Sequence, residues 1–93
     1  MKQQRHFEIA SDTAWREAAK IRTIIVDLDR IVQILDCDIA TEEERARASN
    51  PFDAAYPILA RTLARRRDNL KDTITVLEKR LASLQDQTER VHA

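Results

Sequence analysis

The stretch AWREAAKIRTIIVDLDRIVQILDCDI, Ala14 to Ile39, decides the fold. Its residues Ala14, Ala18, Ile21, Ile25, Leu28, Val32, Leu35 and Ile39 step by 4, 3, 4, 3, 4, 3 and 4. That alternation is the a/d seam of a helix packed on another helix. A second seam lies downstream. Leu63, Leu70, Ile74, Leu77, Leu81, Leu84 and Val91 repeat the heptad, with Arg67 and Thr88 as polar members at a positions.

Between the seams stand the chain's two prolines, Pro51 and Pro57. Ser49-Asn50-Pro51 is the surest break, because the residue before a proline avoids the α region. Pro57 is tolerated only in the first turn of a helix. Glycine is absent from all 93 residues. Without it, tight turns are few and no glycine-rich phosphate cradle can form. The fold class that follows is all-α: an antiparallel two-helix hairpin, coiled-coil-like. The expected layout is a flexible tail over residues 1–10 and one helical-hairpin domain over 11–93. Within that domain the first helix covers about 11–40 or 11–48, the connector about 41–55 and the second helix about 55–89. The ambiguity comes from Thr41-Glu42-Glu43-Glu44, which has the T-x-x-E form of a capping box. Ser11, Asp12 and Thr13 are the expected N-caps of the first helix.

Charge agrees with this topology. Residues 27–44 carry the acids Asp27, Asp29, Asp36, Asp38, Glu42, Glu43 and Glu44 against one base, Arg30. Residues 61–71 carry Arg61, Arg65, Arg66, Arg67 and Lys71 against one acid, Asp68. Folding the chain near residue 51 lays one block along the other, with position 36 facing 66 and 41 facing 61. The same register sets Leu28 near Ile74, Val32 near Leu70, Ile25 near Leu77, Ile21 near Leu81 and Ala18 near Leu84. Leu35 then faces Arg67, whose expected counter-ion is Asp36 or Asp38. Exposed ion pairs contribute only about 0–1 kcal/mol each, so they report register rather than stability.

The first helix has apolar surface beyond its seam. Ile24, Ile31 and Ile34 lie beside it, and Val26 and Cys37 lie on the back. Small single-core scaffolds usually need a disulfide, a metal or oligomerisation. One cysteine, Cys37, cannot form an internal disulfide. Two hairpins are therefore expected to pair through Ile24, Ile31, Ile34 and Val26 into a homodimeric four-helix bundle.

Sixteen basic residues balance sixteen acidic ones, so net charge draws the chain toward neither nucleic acid nor an anionic membrane. No apolar run approaches the ~20 residues of a bilayer span, the N-terminus lacks a secretory signal, and the single cysteine fits a reducing compartment. A soluble, cytoplasmic location follows as an expectation.

Candidate chemistry is sparse. Thr23-Ile24-Ile25-Val26-Asp27-Leu28-Asp29 resembles the nucleophile strand of haloacid-dehalogenase-type phosphatases. That resemblance implies two catalytic aspartates beside magnesium on a parallel sheet. Those enzymes continue with Gly-Thr; here Arg30-Ile31 follows, and helical spacing runs through the segment. The preferred reading puts Asp27 and Asp29 on the solvent side of a helix. His6, Cys37 and His92 match no metal-site spacing. The acids flanking Cys37 disfavour a thiolate, so it lacks the setting of a nucleophile. No catalytic, cofactor or metal site is expected.

Arg61, Arg65, Arg66 and Lys71 are candidate contacts for phosphate or an acidic partner, although no aromatic residue is interleaved to stack on bases. The aromatics are Phe7, Trp15, Phe52 and Tyr56, and their expected role is to close the two ends of the bundle, Phe52 and Tyr56 at the turn and Trp15 at the open end near Gln87. The functional expectation is a non-catalytic, self-associating interaction module, an adaptor or small regulator. The alternative is a small nucleic-acid-associated protein using residues 61–71.

Overall fold

In the computed structural model the backbone is described for residues 2–92 and the side chains for residues 12–89. Helix α1 spans Lys2–Ala46 and helix α2 spans Ile58–His92. No strand occurs among the described residues. The protein is an all-α helical hairpin.

Three helix boundaries differ from expectation, the start of α1 and both ends of α2, while α1 ends close to the later of its two expected ends. Helix α1 starts at Lys2, so the backbone of the segment assigned to a tail is helical. Neither glycine nor proline interrupts residues 2–13, and Lys, Gln and Arg are good helix formers. Asp12 and Thr13 therefore lie inside the helix instead of capping it. The side chains of Phe7 and of the expected cap Ser11 lie outside the described residues. At the other end α1 runs through the T-x-x-E sequence to Ala46. Thr41 Oγ1 donates to the Cys37 carbonyl at 2.9 Å, the back-bond of a mid-helix threonine.

Helix α1 then ends in a Schellman motif. The Arg47 N–H donates to the Glu44 carbonyl at 3.2 Å, and the Ala48 N–H to the Glu43 carbonyl at 3.1 Å. The motif needs a left-handed residue, and Arg47 supplies it with φ 54°. Glycine would take that conformation without a Cβ penalty.

The connector turns twice without glycine. Asn50 accepts from the Asp53 N–H at 3.0 Å through its carbonyl and from the Phe52 N–H at 3.0 Å through Oδ1. Asp53 repeats the device, its carbonyl accepting from the Tyr56 N–H at 3.1 Å and Oδ1 from the Ala55 N–H at 2.9 Å. Asn and Asp favour turns because their side chains hydrogen-bond the backbone two residues on. These turns consume residues through Tyr56, so α2 starts at Ile58 rather than near 55. The Pro57 carbonyl accepts from the Arg61 N–H at 3.3 Å, opening the helical ladder.

The chain forms two compact units, each pairing a stretch of α1 with an antiparallel stretch of α2. One comprises Met1–Val26 and Thr75–Ala93; the other comprises Asp27–Ile74. In the first, Ala14, Ala18 and Ile21 of α1 form a core with Leu84 of α2, and Ile25, Leu77 and Leu81 pack against it. Leu84 is only 1% exposed. Arg80 grips Glu17 with both a 3.1 Å and a 3.2 Å hydrogen bond. In the second, Ile39, Tyr56 and Ala60 form the core, with Leu63 and Ala64 against them. Val32, Leu35 and Ile74 are also buried there. Among described residues, every member of the two sequence-read seams is buried or half-buried.

Replacing Arg47 by glycine should remove the Cβ penalty at the α1 terminus. The expected gain is about 1 kcal/mol, or roughly 4–8 °C in melting temperature for a domain of this size. Thermal unfolding by circular dichroism measures it.

Candidate functional site

Ile24, Ile31 and Ile34 are all exposed on α1, and so is Val26. A helix advances about 100° per residue. Ile24, Ile31 and Ile34 therefore fall within a sector of roughly 80°, whereas Val26 lies about 160° from Ile24. Three of the four expected interface residues share a face, and Val26 does not belong to it. Lys20, Asp27 and Asp38 lie on that same face and Arg30 flanks it, and all four are exposed.

The basic stretch at the start of α2 is partly consumed within its own unit. Arg61 Nη2 donates to the Pro51 carbonyl at 2.6 Å, and its guanidinium lies 5.6 Å from the centroid of the Tyr56 ring. This ties α2 to the connector by a charge-assisted bond and a cation–π contact. Arg67 donates to Asp36 at 3.0 Å and to Asp68 at 3.1 Å. Asp36 was one of its two expected counter-ions. Arg67, not Arg66, takes Asp36 because the a position points across the seam. Arg61 likewise faces the connector backbone rather than an acid near position 41. The bond to Asp36, and secondarily that to Asp68, holds the Arg67 guanidinium above its ordinary pKa. Arg65 lies exposed in a shallow groove with Pro51, Tyr56, Arg61, Ala64, Asp68 and Asn69. Arg66 and Lys71 are exposed on α2.

Tyr56 is the clearest designed polar contact. It is 6% exposed, and its hydroxyl donates to Glu43 Oε2 at 3.0 Å. Burial raises the phenol above its ordinary pKa, and the hydrogen bond and charge of Glu43 add to the rise. The sequence places Tyr56 at the turn but carries no signal for Glu43 as its partner. Phe52 corrects the aromatic expectation: it is 94% exposed and closes nothing. As the third residue of the Asn50–Asp53 turn, it projects away from the core. Trp15 lies half out of a shallow groove with Ala18, Arg22, Gln85, Thr88 and Glu89. Ile58, Leu59 and Val76 are further exposed aliphatic residues on α2.

Asp27 and Asp29 are exposed within α1, so the strand that a phosphatase-like D-x-D requires is not formed. Cys37 is a free, exposed thiol. The side chains of His6 and His92 lie outside the described residues, and the described ones contain no cluster of three metal-ligating side chains. Among the described residues no helix is long and apolar enough to cross a membrane. No protein-family model matches the chain, and neither curated proteins nor solved structures show significant similarity to it.

The Tyr56 phenol is neutral when protonated. Its raised folded-state pKa means that its contribution is intact below about pH 10 and is lost as pH climbs through the folded value. Wild-type protein should therefore lose more melting temperature than Tyr56→Phe between pH 9 and roughly pH 11. Equal losses in the two proteins would refute the assignment.

Proposed function

We propose that the protein is a non-catalytic helical assembly module, an adaptor or small regulator, that self-associates through α1. The carrying observation is the exposure of Ile24, Ile31 and Ile34 on one face of α1. Single exposed aliphatic residues are ordinary, but three share one face of α1, with Asp27 between Ile24 and Ile31. Covering it with the same strip of a second chain makes a four-helix bundle with an isologous interface. The interior of each hairpin unit is already packed, so the strip serves no intramolecular core.

The basic stretch favours the alternative of a nucleic-acid or acidic partner less. Arg61 is engaged with Pro51 and Tyr56, and Arg67 with Asp36 and Asp68. Arg65 and Arg66 remain, with no ion pair among the described residues.

Light scattering at micromolar concentration should give about twice the 10.8 kDa of the chain. Ile31→Lys with Ile34→Lys should weaken association at least about a hundredfold while leaving helix content unchanged, since four buried isoleucines are lost per dimer. A wild-type monomer would contradict the proposal.

A further inference from the structure

The exposed face of α1 has a charge pattern that selects one way for a second copy to dock. Reading along it, the residues are Lys20, Ile24, Asp27, Ile31, Ile34 and Asp38. Their spacing of 4, 3, 4, 3 and 4 reads the same in both directions. The ends of the strip carry opposite charges, and its second and fifth members are both isoleucine. Reversing one strip against another brings Lys20 to Asp38, Ile24 to Ile34 and Asp27 to Ile31. Arg30, on the same helix, then comes beside Asp27 of the second copy. Running the strips parallel stacks Lys20 on Lys20, Asp27 on Asp27 and Asp38 on Asp38.

The charges concerned are uncommitted. Lys20, Asp27, Arg30 and Asp38 make no ion pair or side-chain hydrogen bond among the described residues. Other charges on α1 are engaged: Glu17 holds Arg80, and Asp36 holds Arg67. The opposite charges at the ends of the strip are complementary to its own reverse, and the internal Asp27 meets Arg30 of the second copy. Complementary charge fixes orientation and excludes wrong registers more than it adds affinity.

Resting on the self-association reading, we propose that two chains pair α1 against α1 in antiparallel, two-fold fashion, centred near residue 29. Ile24 packs on Ile34 of the second copy, and Lys20 pairs with its Asp38. Two-fold symmetry makes each contact twice, so one strip specifies a closed dimer and no filament. Cys37 sits eight residues from the centre, leaving the two thiols roughly 24 Å apart along the helices. That distance is far beyond disulfide reach.

Cysteine crosslinking tests the arrangement. In a Cys37→Ser background, Lys20→Cys and Asp38→Cys are made as separate variants. Equal parts are mixed, allowed to exchange, and oxidised mildly. The expected result is a covalent dimer in the mixture and none with either variant alone. Within one helix, positions 20 and 38 are roughly 27 Å apart, so an internal bond cannot form. The charge swap gives a second readout. Lys20→Glu should weaken the dimer on the order of tenfold, and adding Asp38→Lys should restore it. Self-crosslinking of a single variant, or no crosslink in a mixture that scatters light as a dimer, overturns the antiparallel arrangement and leaves self-association standing. A wild-type chain that is monomeric by light scattering overturns both.

Discussion

Aliphatic side chains at alternating three- and four-residue spacing hold this protein together, and other features adjust to that seam. In the Met1–Val26 and Thr75–Ala93 unit the helices meet through Ala14, Ala18, Ile21 and Leu84. The alanines are small, which leaves room for Leu84 to sit almost wholly out of water. In the Asp27–Ile74 unit the seam is broken at Arg67, whose head group is answered by Asp36 and Asp68. A half-buried cation is tolerable there because its donors have acceptors. The Arg67 stem still contributes apolar surface, as long basic side chains do.

The absence of glycine shapes the return of the chain. Arg47 accepts a left-handed backbone to finish α1, and Asn50 and Asp53 turn the connector by bonding its N–H groups. Tyr56 then plugs the core beside Ile39 and Ala60, with Glu43 taking its hydroxyl and Arg61 covering its ring. The turn is thus held by side-chain hydrogen bonds and one buried aromatic. These are specific contacts, but each depends on a single residue.

Much of the fold was legible in the sequence because helix pairing follows a one-dimensional rule. The heptad names the buried residues of the two helices apart from Ala60, and Pro51 and Pro57 bound the return. Helix termini were less legible. Thr41-Glu42-Glu43-Glu44 resembles a start signal, but caps act only where a helix already ends, and favourable residues on both sides carry α1 through. The strip of Ile24, Ile31 and Ile34 is visible from spacing alone. Val26 is apolar and exposed too, but the same spacing puts it on the back of α1, away from that strip. The partners of Tyr56 and Arg61 depend on the path of the connector, which no periodicity encodes. Phe52 shows the opposite case: an aromatic near a turn suggests a plug, yet the local turn geometry points it outward.

The strip and the seam act at different levels. The seam uses the apolar residues at a and d to fold one chain, and the strip leaves those at g and c exposed. The account stands on the first of these, and methyl NMR tests it most directly. In a sample whose isotope labelling separates contacts within a chain from contacts between chains, the Leu84 methyls should show intrachain cross-peaks to Ala18 and Ile21. Leu84 methyls without a cross-peak to Ala14, Ala18 or Ile21 of the same chain would contradict the hairpin packing from which the exposed face of α1 was derived.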